Sequence, residues 1–353
     1  MFVLEKWIHA RELAFSQRDD NRRVRPFDWG AEYLIEHSSQ SAVASRGNGV
    51  VKSQITDPRD FLNQYCENAI KHSDQFFAAE PTDDYELNDD LLSFPSALAS
   101  SDKSNDTVYG RFFPSSNKSC AVIVLPQWNA DAQGHINLCR LLARFGIAAL
   151  RLSLPYHHQR RPAQMERSEH LVCSNIGLTL HSNRQAVLDT RRAADWLERQ
   201  GYARIGIMGT SIGSCVAFLT MAHDRRINTG VFNHASSYFA DVVWNGLSTR
   251  HVRQGLETDV SIDELRKFWA VLSPQTFISR MKNRDHKSLI ISGRYDLSFP
   301  FDLTMQAISE FRKHNIPVRH VVLPCGHYTL GTFPFAYIDA FLITSYFRKY
   351  LRP

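Results

Sequence analysis

The sequence predicts a doubly wound α/β fold, and three observations carry that expectation. Apolar, β-branched runs of strand length alternate with helix-length segments from about Thr107 to the C-terminus. Arg204 to Phe218, RIGIMGTSIGSCVAF, passes from such a run through Gly209-Thr210-Ser211-Ile212-Gly213 into a small-residue helix face. Two later apolar runs end in short polar loops, GRYD at Asp296 and CGH at His327, with a helical pattern between them.

Along the chain, Thr107 to Phe113 and Cys120 to Leu125 read as neighbouring strands, and Asn137 to Phe145 as a helix opened by Asn137 and closed by Gly146. Ile147 to Leu154 is the next strand. Asn183 to Gln200 sets Val187, Leu188, Ala193, Ala194 and Leu197 on one stripe and reads as a helix leading to the strand that begins at Arg204. Beyond the glycine turn come strands at Thr229 to Asn233, from Ser288 toward Asp296, and from Val318 toward His327. The segment FDLTMQAISEFRKHN has apolar residues at helical spacing and a basic last turn, and a final helix spans Phe335 to Tyr350. In such a sheet the chemistry sits outside the carboxyl ends of the strands.

A strand, a sharp turn and a helix around G-x-S-x-G form the pattern of a nucleophile elbow, where a serine on a strained turn projects its hydroxyl from the sheet edge. Glycine is demanded at Gly209 and Gly213 because a side chain would collide with the neighbouring strand or helix. A free hydroxyl is a weak nucleophile at neutral pH, so Ser211 needs a base whose imidazole is held by a third group. Where elbows occur the partners follow in the order acid, then histidine, each on a loop after a later strand. Asp296 and His327 answer that description. A right-handed strand-helix-strand crossover puts both loops at one sheet edge with Ser211. His327 is one of fifteen histidines, distinguished by following a late strand through Gly326. Asp241 is the rival acid, after the strand at Gly230 to Asn233, but Val-Val-Trp follows it and reads as the start of a helix.

From about Leu91 to the C-terminus the chain resembles the alpha/beta-hydrolase superfamily on the elbow GTSIG, the acid loop GRYD and the late CGH taken in that order. The resemblance implies a mostly parallel sheet with helices on both faces and a Ser-Asp-His triad. It does not imply a substrate.

Acyl transfer also needs two donors for the oxyanion. One is expected from the backbone N–H of Ile212, at the start of the helix after the serine. The second is expected from the loop after Cys120 to Leu125. The common family pattern there is His-Gly followed by the donor residue, whereas this chain has Pro126-Gln127, which assigns the amide to Trp128 with Gln127 as the alternative.

Two regions depart from a minimal α/β body. Residues from about Phe239 to Arg284 include SIDELRKFWAVL, with a Ser261-to-Glu264 capping box, and sit where the superfamily carries a cap. Trp244, Phe268, Trp269 and Phe277 give that insertion more apolar surface than an exposed loop needs. Met1 to Asp90 reads as an N-terminal extension packed on the body, with an exposed loop over Ser39 to Ser53. The catalytic domain is thus expected over residues 91–353. The loop after Leu154 carries Arg160 and Arg161 beside the active edge. Either they attract an anionic substrate group or they pair with acids of the protein.

The charges set further limits. The net charge of +5 is spread among acids without a long basic run, which argues against nucleic acid as a partner. The first fifteen residues break their apolar positions with Glu5, Lys6, His9, Arg11 and Glu12, unlike a secretory signal, and no run reaches the length of a membrane span. The six cysteines show no paired spacing, which favours a reducing cytoplasm. No spacing supports a metal site, His157 and His158 being adjacent and divergent in extended chain, and no cofactor is expected. The expected activity is a serine carboxylesterase acting on a small-molecule ester. A prolyl-peptidase-like peptidase, an acyltransferase and a non-catalytic scaffold remain open as alternatives, as does the oligomeric state.

Overall fold

The computed structural model describes residues 2–18, 21–35, 56–116 and 118–352. The loop expected over Ser39 to Ser53 lies outside them. Nine strands, β1 (Glu86–Asn88), β2 (Leu91–Pro95), β3 (Thr107–Phe113), β4 (Cys120–Leu125), β5 (Ala148–Leu152), β6 (Arg204–Thr210), β7 (Ile227–Asn233), β8 (Lys287–Gly293) and β9 (Arg319–Leu323), form one sheet. Its order is β1-β2-β3-β5-β4-β6-β7-β8-β9. The pairings β1–β2, β2–β3 and β3–β5 are antiparallel, and those that join β5, β4, β6, β7, β8 and β9 are parallel. The sheet is therefore mostly parallel.

Strand alternation divides the interior into two layers. Ala121, Ile123 and Leu125 of β4 face one side, with the helices Ile176–Arg199 and Ile212–His223. Cys120, Val122 and Val124 face the other, with the helices Ile136–Arg144 and Phe335–Tyr350. Every residue of β4 is buried, as a central parallel strand covered on both faces requires. Leu34, Leu62, Cys66, Phe76 and Phe77 join the first layer, so described residues before β1 share the body's core.

Several elements depart from the sequence reading. The β1–β2 hairpin, turning through Asp89 at φ 55°, carries the sheet back to Glu86, beyond the expected start at Leu91. The long central helix begins at Ile176 rather than near Asn183, with Asn175 as its cap accepting from the Leu178 amide. The residues of the insertion after β7 fold into short helices, among them Phe239–Asn245, Arg250–Leu256 and Ile262–Phe268, the last opened by the expected Ser261–Glu264 capping box.

Register levels the carboxyl ends of the strands. Leu125 pairs with Gly209, Thr210 with Asn233, Asn233 with Ile291, and Gly293 with Leu323. The loops that follow β4, β6, β7, β8 and β9 consequently open at one edge.

Candidate active site

Ser211 occupies the turn between β6 and the helix Ile212–His223 with φ 58° and ψ −124°, a backbone conformation that costs a non-glycine residue strain. The turn is tight enough to exclude side chains on either side. A Cβ on Gly209 would stand 2.0 Å from the Gly213 carbonyl oxygen, and one on Gly213 would stand 2.5 Å from the carbonyl oxygens of Leu125 and Pro126. These are backbone atoms, so neither collision is relieved by turning a side chain. The Ser211 amide is tied to the Asn233 carbonyl at the end of β7 at 2.9 Å.

Asp296 lies in the loop after β8, with its side chain buried. Its Oδ1 accepts from the amides of Ser298 at 2.8 Å and Phe299 at 2.7 Å, leaving Oδ2 to face the histidines. Nδ1 of His327, in the loop after β9, lies 3.0 Å from Oδ2. Nδ1 of His234, directly after β7, lies 2.6 Å from the same atom. Burial alone would raise the Asp296 carboxyl, but the two imidazoles outweigh it and hold the group well below the carboxylate range. Burial works against a charged imidazole at both histidines. At His327 the Asp296 carboxylate and its hydrogen bond prevail and raise the imidazole above its ordinary value. At fully buried His234 desolvation prevails and lowers it.

The loop after β4 is built without the glycine that the resemblance called for. Asn129 takes the left-handed turn at φ 55°, and its amide donates to Nε2 of His157 at 2.9 Å. Burial pushes His157 down to about 3, so it is neutral, with Nδ1 2.9 Å from the Pro155 carbonyl. The Trp128 indole donates to the Ser168 carbonyl at 2.8 Å, and its ring stacks on His251 of the helix Arg250–Leu256. Ile212 begins its helix, so its amide is among those of the first turn that have no intrahelical acceptor.

Ser211, Ile212, Gln127, Trp128 and His327 line one cavity of about 560 Å³, whose wall includes Phe239, Val242 and Val243 from the insertion after β7. Arg160 and Arg161 do not line it. Arg160 is fully buried, 2.8 Å from Asp189, and donates to the carbonyls of Asn105 and Ser153. Arg161 donates to the Glu166 carbonyl at the surface. The rival acid Asp241 pairs with Arg266, 2.6 Å away, within the insertion. Among the described residues, His234, Asp296 and His327 also gather potential metal-ligand atoms within 4.8 Å of one another. An ion there would compete for the oxygen that already holds both imidazoles.

The family model described as "Alpha/beta hydrolase domain containing 18" matches residues 133–284. Among solved structures, the Paenibacillus sp. R4 acetyl xylan esterase is 14% identical with a TM-score of 0.57, over 87% of this chain and 98% of that one. The uncomplexed Pyrococcus horikoshii acylaminoacyl peptidase is 13% identical with a TM-score of 0.57, over 78% of this chain and 43% of the peptidase. This chain thus spans less than half of the peptidase's length. The Pyrococcus furiosus esterase is 15% identical with a TM-score of 0.51, over 78% of this chain and 96% of that one. No curated protein matches the chain by sequence. The chain has the alpha/beta-hydrolase fold.

Within this fold the sequence reading missed three polar groups around His327 and Ser211. His234 follows β7 at the same edge as the other loops, a position that the strand pattern alone could have flagged. His135 places Nε2 3.0 Å from the hydroxyl of Thr210, the residue before the nucleophile candidate, and burial lowers it to about 4. Glu12, in the N-terminal helix Phe2–Ser16, is fully buried against the His327 loop. No local pattern announces it, because its partners lie more than three hundred residues away.

Proposed function

We propose that this chain is a serine hydrolase that cleaves carboxylic esters through an acyl-enzyme on Ser211. One observation carries the reading: Ser211, on its strained turn, lines the same cavity as a histidine whose Nδ1 is held 3.0 Å from a buried aspartate. In the proposed reaction His327, neutral and with its proton fixed on Nδ1 by Asp296, takes the Ser211 hydroxyl proton at Nε2 as the oxygen attacks the ester carbonyl. Asp296 stabilises the resulting imidazolium. The amides of Ile212 and Trp128 receive the developing oxyanion. The imidazolium returns its proton to the leaving alcohol, and water activated by His327 then releases the acid and restores Ser211.

The insertion at residues 239–284 is proposed to act as a cap. Phe239, Val242 and Val243 give the cavity an apolar wall suited to an acyl chain. An ester substrate is favoured over a peptide because the fold matches the acetyl xylan esterase over 98% of its length and the peptidase over 43%. Six free, buried cysteines fit a reducing compartment, and among the described residues no helix is long and apolar enough to cross a membrane.

Labelling with a fluorophosphonate tests the nucleophile, with wild type expected to label and Ser211→Ala not. Asp296→Asn keeps an oxygen for the Ser298 and Phe299 amides while turning His327 to the wrong tautomer. It should lower kcat on a short ester by about ten-thousandfold. Equal labelling of wild type and Ser211→Ala would remove the proposal.

A further inference from the structure

The N-terminal helix Phe2–Ser16 is packed against its own hydrophobic pattern. Ile8, Glu12 and Ser16, four residues apart on one stripe, are its buried face, whereas Val3, Leu4, Trp7 and Leu13 are among the large apolar side chains left exposed. Burying a glutamate in place of a tryptophan or leucine is unfavourable unless the carboxylate finds full compensation. It finds it in the loop that carries His327. Oε2 of Glu12 accepts from the His327 amide at 2.9 Å, both oxygens accept from the Tyr328 amide at 3.1 Å, and Oε1 accepts from the Thr329 amide at 2.8 Å.

Three consecutive amides therefore converge on one carboxylate, beginning at the residue proposed as the base. The approach is close. A Cβ on Gly326 would stand 2.4 Å from Glu12 Cδ, so the glycine of CGH makes room for a side chain from the far end of the sequence. Arg22, shortly after the helix, donates to the Tyr328 hydroxyl at 2.7 Å and holds the loop from a second point.

We infer that Glu12 is a positioning residue for the His327 loop, so that the N-terminal helix is part of the hydrolytic machinery and not a covering segment. The inference rests on the proposed roles of Ser211, Asp296 and His327. Fixing the three amides fixes the backbone from which the imidazole projects, and a shift of about an ångström at a reacting group costs on the order of a hundredfold in rate. The carboxylate also adds to the field at His327. That imidazole is faced by Asp296 from the loop after β8, by His234 from the end of β7, by Glu12 from the helix and by Arg22 beyond it, while Asp339 of the helix Phe335–Tyr350 lines the same cavity. Burial opposes charge on His327, Asp296 and Glu12 raise its proton affinity, and Arg22 lowers it.

The test uses full-length Glu12→Gln, Glu12→Asp and Gly326→Ala, with thermal unfolding to establish that each is folded at the assay temperature. Steady-state hydrolysis of a short ester and the rate of fluorophosphonate labelling are then followed against pH. Glu12→Gln should lower kcat and the labelling rate by roughly ten- to a hundredfold, with KM little changed and the acidic limb of kcat/KM moved to lower pH. Glu12→Asp should recover part of both effects. Gly326→Ala, which displaces the carboxylate without removing it, should reproduce the loss. Wild-type kcat and pH profile in folded Glu12→Gln would overturn the role of Glu12, as would a loss with no shift of the limb and no recovery in Glu12→Asp. If instead wild type and Ser211→Ala label equally, the underlying assignment of Ser211 has failed.

Discussion

Nδ1 of His234 stands 2.6 Å from the Asp296 oxygen that Nδ1 of His327 approaches at 3.0 Å. One carboxylate oxygen thus serves two imidazoles, and only His327 lines the cavity. With His234 neutral, the attraction of Asp296 is spent mainly on His327 when the latter charges. Removing His234 should leave the His327 contact undivided. Folded His234→Gln is therefore expected to retain turnover within about tenfold of wild type, the scale of one neutral hydrogen bond, with the acidic limb of kcat/KM moved to higher pH. A loss as deep as that of Ser211→Ala would assign His234 a direct part in the reaction.

Stability and activity should part company on the alkaline side. The proposed base works when neutral, and its folded value lies above the ordinary histidine value of about 6.5, so kcat/KM should rise as pH climbs through that raised value. The stability gained from charged His327 is complete below the unfolded value and disappears as pH climbs through the raised folded one. Asp339 acts in the same direction. Burial raises its carboxyl to about 7, so folding holds a proton there that the unfolded chain has released, and stability falls as pH rises toward that value. On the acid side, burial lowers His135 and His223 to about 4 and His157 to about 3, and stability is lost as pH falls below about 6.5 and the unfolded histidines charge. Melting temperatures should therefore rise from about pH 4 toward neutrality, the several lowered histidines outweighing Asp339 across that window, and fall as pH climbs through the raised His327 value while activity rises. Asp339→Asn should steepen the rise between about pH 4 and 7, because it removes a contribution that opposes the histidines there. An unchanged slope between about pH 4 and 7 in this variant would locate the titration elsewhere.

How much of this is legible in the sequence follows from how local each signal is. β3 and β4 have the expected bounds because each buries an ordinary apolar pattern, and the helix Phe335–Tyr350 has them although Tyr337 and Phe341 are exposed. The elbow was legible for the same local reason, its glycines answering to backbone atoms a few residues away or on the adjoining strand. The start of the helix Ile176–Arg199 was hidden because its first two turns bury Gly177, Thr179, His181 and Ser182 among their apolar residues. Thr179 and Ser182 donate their hydroxyls to the carbonyls of Cys173 and Leu178, so polar side chains are buried there and the apolar period does not mark the first turns. Glu12 was hidden more completely. Its helix turns a carboxylate inward and Trp7 outward, the reverse of what hydrophobic periodicity predicts.

Arg160 separates a structural charge from a substrate-binding one. Its guanidinium is fully buried against Asp189 at 2.8 Å, and Asp189 in turn accepts from the Ser96 hydroxyl and the Ala97 amide. Deleting the arginine leaves a buried carboxylate without its cation, a loss of about 3–5 kcal/mol in comparable buried pairs. Arg161 sits at the surface with one carbonyl acceptor, and its removal should change stability by no more than about 0.5 kcal/mol. Denaturant unfolding of Arg160→Ala and Arg161→Ala should resolve that contrast. Neither arginine lines the cavity, so the ratio of turnover on an anion-bearing ester to that on a neutral ester should stay at the wild-type value in both variants, after correction for the folded fraction. A selective loss on the anionic ester in stable, fully folded Arg160→Ala would mean that the loop reaches the substrate by a rearrangement, because the ion pair with Asp189 holds the guanidinium away from the cavity.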